Sequence, residues 1–109
     1  GSQGTVLAKL ISQTGAQHTI SGRHVTFGSD QNLCDEVIPY DRYISGRHFT
    51  IVKETDAFYI ADENSRNGTL VNGQPVPAGQ KLPLADGTLI TAGQTNFQFR
   101  VGNVTVSLQ

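Results

Sequence analysis

The chain has 109 residues, 37% of them hydrophobic and 12 of them glycine. That length holds one domain, with a core large enough to fold without disulfides or metal. Eight Lys plus Arg against nine Asp plus Glu leave a net charge of −1, which argues against a nucleic-acid backbone or an anionic membrane as the main partner and leaves any anion binding local.

The single cysteine, Cys34, permits no intramolecular disulfide, and the usual Cys/His metal spacings are absent. It reads as a small buried hydrophobe. No apolar run reaches the roughly 18 residues of a membrane helix, and the N-terminus carries no secretory signal. The lack of disulfide chemistry favours an intracellular setting, cytoplasmic or nuclear. Residues 1–4, opening Gly1-Ser2, read as a cloning remnant or tail, and 5–109 as a single domain.

In chain order, apolar residues recur with a period of two. Val6, Ala8 and Leu10 alternate with Leu7, Lys9 and Ile11, then Val25 and Phe27 with His24 and Thr26. Phe49 and Ile51 alternate with His48 and Thr50, Phe58 and Ile60 flank Tyr59, and Phe97 and Phe99 flank Gln98. This pattern builds strands with one buried face. Expected strands cover 5–12, 18–27, 35–38, 48–54, 57–61, 69–71, 74–76, 80–83, 88–92 and 95–101. Residues 102–109 read as either a last strand or a tail. Turn signals separate the strands at short intervals, among them Asn67-Gly68, Asn72-Gly73 and Asp86-Gly87. No window of ten residues carries a helical stripe. The expected fold is an all-β sandwich or barrel.

Three loop segments concentrate polar groups: Phe27-Gly28-Ser29, Ile44-Ser45-Gly46-Arg47-His48, and Asn64-Ser65-Arg66-Asn67-Gly68-Thr69. Hydroxyls, backbone N–H groups and guanidinium gathered from such loops suit an anion, because charge-assisted hydrogen bonds are the strong ones. The rival reading of Ser45 and Asn67 is loop residues that satisfy their own backbone. Arg47 and Arg66 could equally hold their charge in water.

Gly28-Ser29, Ser45-x-x-His48, Asn67-Gly68-Thr69 and Asn72-Gly73, in this order and spacing, resemble the forkhead-associated (FHA) domain family over residues 5–101. The resemblance implies a two-sheet antiparallel sandwich of about eleven strands (FHA/SMAD-like), with loops at one end that bind phosphothreonine peptides. It implies no cofactor and no catalysis; no paired carboxylates, metal spacing or nucleophile–base pair is recognisable either. By position, Ser45 should bond the phosphate through its hydroxyl, Gly46 through its N–H, and Arg47 lies beside them. Asn67 should hold the peptide main chain. Gly28, His48, Gly68 and Thr69 should support the loops, with positive φ at Gly68 and Gly73. Arg42 and Tyr43 are candidates for reading the flanking peptide. The implied partner is a phosphothreonine-containing protein or peptide, and the domain's usual setting is a longer chain.

The chain departs from the family pattern where the family has its phosphate-binding arginine. That position is Ser29. Arg66 and Arg47 are the candidate replacements. Loss of one charged donor costs about 1.5–3 kcal/mol, or roughly ten- to a hundredfold in affinity. The alternative function is therefore a degenerate scaffold that binds its partner, or its own protein, without phosphate.

Overall fold

The computed structural model describes residues 2–20, 22–55 and 57–107, with side chains within 8–20, 22–55 and 57–102. It consists of eleven strands in two sheets. They are β1 (Ser2–Ser12), β2 (Gln17–Ile20), β3 (His24–Gly28), β4 (Glu36–Val37), β5 (Phe49–Glu54), β6 (Ala57–Asp62), β7 (Thr69–Val71), β8 (Gln74–Pro75), β9 (Lys81–Leu84), β10 (Leu89–Ala92) and β11 (Thr95–Ser107). One sheet has the order β2-β1-β11-β10-β7-β8, the other β4-β3-β5-β6-β9. No described helix is long and apolar enough to cross a membrane.

The inward positions of the alternating runs form one core. Leu10, Phe27, Ile38, Phe49, Ile51, Ile60, Ile90, Phe97 and Phe99 are completely buried. Phe27 and Phe49 stack with ring centroids 4.8 Å apart, and Phe97 from the opposite sheet meets Phe49 edge-on at 6.3 Å. Aromatic contacts of this kind add to the burial that holds two sheets face to face.

Two sequence expectations change. The stretch 18–27 is not one strand. His18 and Ile20 point inward, as do Val25 and Phe27, so the inward phase passes from even to odd numbers. A continuous strand cannot do that. The chain instead crosses between sheets, with β2 pairing with β1 and β3 with β5. The sheets are also not wholly antiparallel: β3 and β4 pair in parallel, Phe27 opposite Glu36 and Gly28 opposite Val37. Residues 102–107 continue β11, whose ladder with β1 runs from Ser12↔Phe97 to Ser2↔Ser107. The end of that stretch, 108–109, lies outside the described residues, as does Gly1 of the expected tail.

Asn72 and Gly73 join β7 to β8 with φ of 50° and 83°, and Val71 pairs with Gln74. Positive φ at both central residues matches the right-handed twist of a two-residue hairpin. Gly68 also has positive φ, 79°.

A loop cleft around Ser45

The β4–β5 connector reaches its neighbours through backbone bonds. Ser29 N donates to Ser45 O at 3.0 Å, and Asp30 N to Gly46 O at 3.2 Å. These two bonds lay the β3–β4 loop against residues 45–46. Only glycine allows the approach at position 28: a Cβ there would stand 2.1 Å from Gly46 O and 2.7 Å from Cys34 Sγ. The Cys34 thiol donates to Gly46 O at 2.8 Å. Burial pushes its pKa up, which keeps the donor protonated.

His48 joins this connector to the β6–β7 loop. It is fully buried. Its Nδ1 accepts the Ser45 backbone N–H at 3.0 Å, and its Nε2 lies 2.8 Å from Gly68 O. An Nδ1 that accepts leaves the proton of a neutral imidazole on Nε2, where it donates to the carbonyl. Thr69, also buried, donates from Oγ1 to Asp62 Oδ1 at 2.6 Å. Asp62 further accepts Ser65 N at 3.0 Å, so one carboxylate braces the loop's turn.

Ser45 Oγ accepts the Arg66 backbone N–H at 3.0 Å. The hydroxyl proton is thereby left to donate outward. Asn67 Nδ2 donates to Tyr43 O at 2.8 Å, leaving its side-chain carbonyl oxygen as a further acceptor. Ser45, Gly46, Arg66, Asn67, Arg42 and Tyr43, with Ile44, line an open cleft of about 690 Å³. Two arginines belong to its lining and no Asp or Glu does.

Arg47, a candidate phosphate ligand, and Ser29, at the position of the family's arginine, stand outside that lining. Arg47 is exposed, and its Nη2 pairs with Glu63 Oε1 at 3.3 Å. The other oxygen, Glu63 Oε2, accepts Thr50 Oγ1 at 2.7 Å. Glu63 thus bridges the Arg47 guanidinium and the Thr50 hydroxyl of β5. Ser29 is exposed at the next loop and reaches the cleft loop through its backbone N–H rather than its hydroxyl.

Sequence reasoning missed Asp41 as an organising residue. It is buried, and its carboxylate accepts Tyr43 N at 2.8 Å, Gln94 N at 2.7 Å and Thr95 Oγ1 at 2.7 Å. Burial raises its pKa, but the bonds from Thr95, Tyr43 and Gln94 outweigh it, and the net pKa lies below the ordinary carboxylate value. Asp41 ties the cleft's approach to the β10–β11 turn. The signal available was an acid two residues before Tyr43; its other partners, Gln94 and Thr95, lie more than fifty residues away in sequence. Among the described residues, no three His, Cys, Asp or Glu side chains group to hold a metal ion.

A two-sheet sandwich with a cleft lined by the β4–β5 and β6–β7 loops, the first of them backed by the β3–β4 loop, defines a loop-based binding domain. The FHA domain family matches residues 19–93, and the chain belongs to that family. Similar solved structures agree. An FHA domain from an analysis of phosphothreonine-dependent FHA interactions is 30% identical, with a TM-score of 0.76 over 86% of this chain and 95% of that one. The FhaA FHA domain, solved with the intracellular domain of Rv3910, is 31% identical, with a TM-score of 0.73 over 88% and 100%. The FHA domain of the CT664 protein of Chlamydia trachomatis is 26% identical, with a TM-score of 0.74 over 87% and 95%. Among curated proteins, none matches the chain by sequence.

Proposed function

We propose that the chain is a phosphopeptide-recognition module that binds phosphothreonine-containing protein segments through its loop cleft and mediates protein–protein interaction in signalling. One observation carries this reading. The Ser45 hydroxyl accepts the Arg66 backbone N–H and lines a cleft to which Arg42 and Arg66 also belong and which has no Asp or Glu in its lining. A dianion needs several such donors in place of its water. The family relative 30% identical to this chain was studied for phosphothreonine-dependent interactions, and the FhaA domain was solved with a partner protein's domain.

In this reading Ser45 and the Gly46 N–H bind phosphate, and Arg66 supplies the charge that Ser29 lacks. Asn67 takes the peptide main chain. Gly28, His48, Gly68 and Thr69 hold the loops. Arg47, spent on Glu63, contributes at most through long-range attraction. The module works as part of a longer protein with no cofactor and no catalytic step, and a free Cys34 thiol suits an intracellular setting.

Calorimetric titration with matched phosphothreonine and unmodified peptides tests this. The phosphorylated peptide should bind and the unmodified one should not. Ser45→Ala and Arg66→Ala should each weaken binding about ten- to a hundredfold. The missing family arginine at Ser29 favours the second reading, a scaffold that binds without phosphate; equal affinity for both peptides would establish it.

A further inference from the structure

The chain contains two Asn-Gly pairs, Asn67-Gly68 and Asn72-Gly73. In such a pair the glycine nitrogen can attack the preceding side-chain amide, because glycine carries no side chain to shield it and its backbone turns freely. Both pairs are open: the two asparagines are exposed, and a Cβ on either glycine would meet nothing within 4 Å. The asparagines themselves are held differently. Asn72 is tied to Leu89 twice, its N donating to Leu89 O at 2.7 Å and its Oδ1 accepting Leu89 N at 2.9 Å. The side-chain carbonyl that must swing toward Gly73 N is thus clamped to the neighbouring strand. Asn67 makes one side-chain bond, from Nδ2 to Tyr43 O at 2.8 Å. Among the described residues, neither its Oδ1 nor the Gly68 N–H makes a hydrogen bond.

We propose that Asn67 is a site of spontaneous deamidation, and that the change switches the cleft off. The Gly68 nitrogen gives its proton to hydroxide and bonds to Asn67 Cγ. The Cγ–Nδ2 bond breaks, and Nδ2 leaves as ammonia after taking a proton from water. A second water opens the cyclic imide at either carbonyl, giving aspartate or, with the main chain rerouted through Cγ, isoaspartate. The net reaction consumes water and releases ammonia. Positive potential from Arg42 and Arg66, in the same lining, favours loss of the Gly68 proton and the negative charge that builds on Asn67 Oδ1.

The product is the opposite of what the cleft requires. An amide that donates becomes a carboxylate that only accepts. Its bond to Tyr43 O turns into repulsion between two acceptors, and the β6–β7 loop loses its side-chain tie to Tyr43. The new charge also enters a lining that has no Asp or Glu, where it opposes an incoming phosphate. This consequence rests on the phosphothreonine reading of the Ser45 cleft. A phosphopeptide main chain held at Asn67 covers the amide, so occupied modules are spared and idle ones are retired.

The test is to age the chain at neutral and mildly alkaline pH, with and without a saturating phosphothreonine peptide, and to map its peptides by mass spectrometry. Exchange of NH2 for OH should accumulate at Asn67 at least about fivefold faster than at Asn72, the worth of one hydrogen bond fewer to break. The rate should rise with pH, and the phosphopeptide should slow it at Asn67 and not at Asn72. Ion exchange separates the aged form by its added negative charge. Calorimetry should find its phosphopeptide affinity lower by about tenfold or more, with circular dichroism unchanged. Asn67→Asp should reproduce the weakening without isoaspartate; if that variant does not fold, the separated aged form still supplies the affinity. Equal rates at the two asparagines overturn the site, and an unprotected Asn67 overturns the sparing of occupied modules. Undiminished affinity, or a lost fold, in the separated form overturns the switch. If the unaged chain binds phosphorylated and unmodified peptides alike, the parent reading fails and the switch with it, while the mass readings still decide the modification site.

Discussion

Ser45 and His48, three residues apart, are joined by a bond from the Ser45 backbone N–H to the His48 Nδ1 at 3.0 Å. The same imidazole meets Gly68 O at 2.8 Å through Nε2. One buried ring thus spaces the β4–β5 and β6–β7 loops and orients the residue whose hydroxyl faces the cleft. His48→Ala leaves a buried N–H and a buried carbonyl unpaired beside a cavity. Stability should fall by about 3 kcal/mol, read by denaturant unfolding. In the intact protein, long-range nitrogen–proton NMR at neutral pH should find the proton on Nε2.

At Gly28 the requirement is space. A Cβ would meet Gly46 O at 2.1 Å and Cys34 Sγ at 2.7 Å. Gly28→Ala must push the 45–46 segment outward, and it should cost about 1–3 kcal/mol of stability as well as weaken phosphopeptide binding. Gly22→Ala, where a Cβ meets nothing closer than 4.0 Å, should stay within about 0.5 kcal/mol of the parent. Paired unfolding and binding measurements on the two variants decide the point.

Asp41 predicts an acid dependence. Its folded pKa is lowered from 3.8, so the folded state prefers the carboxylate. The contribution to stability is complete above the unfolded value and is lost as pH falls through the lower folded value. Asp41→Asn should therefore be less stable than the parent at pH 7, and the gap should narrow below about pH 4. Unfolding curves across this range measure it; a gap that stays constant with pH would remove the charge from the explanation.

Ser29 offers a gain-of-function test. Its backbone N–H already bonds Ser45 O at 3.0 Å, so a longer side chain there starts beside the cleft loop. Ser29→Arg should tighten phosphothreonine-peptide binding about tenfold or more, the worth of one added charge-assisted bond. Calorimetry with the peptide used for Arg66→Ala gives the comparison, and the Ser29→Arg, Arg66→Ala double variant shows how far one guanidinium replaces the other.

Much of the fold was legible because its causes are local. Phe97-Gln98-Phe99 alternates, and a strand with one buried face follows. Asn72-Gly73 accepts positive φ, and a two-residue hairpin follows. The break inside 18–27 was legible in principle, in the shift from His18 and Ile20 to Val25 and Phe27. The parallel pairing of β3 with β4 was not, since Glu36-Val37 is too short to show a period.

By its order of residues alone, the chain determined an all-β body of short strands, its turns and a set of polar loops, because periodicity and turn chemistry act over a few neighbours; the two-sheet arrangement followed from the resemblance of those loops to the FHA pattern. Only the tertiary structure decided which arginines face the cleft. Arg47 and Arg66 look alike in sequence, yet Glu63, sixteen residues from Arg47, claims the first guanidinium, while Arg66 and Arg42 are left to line the opening. Charge pairing depends on distance in space, and that distance is set by how the loops pack.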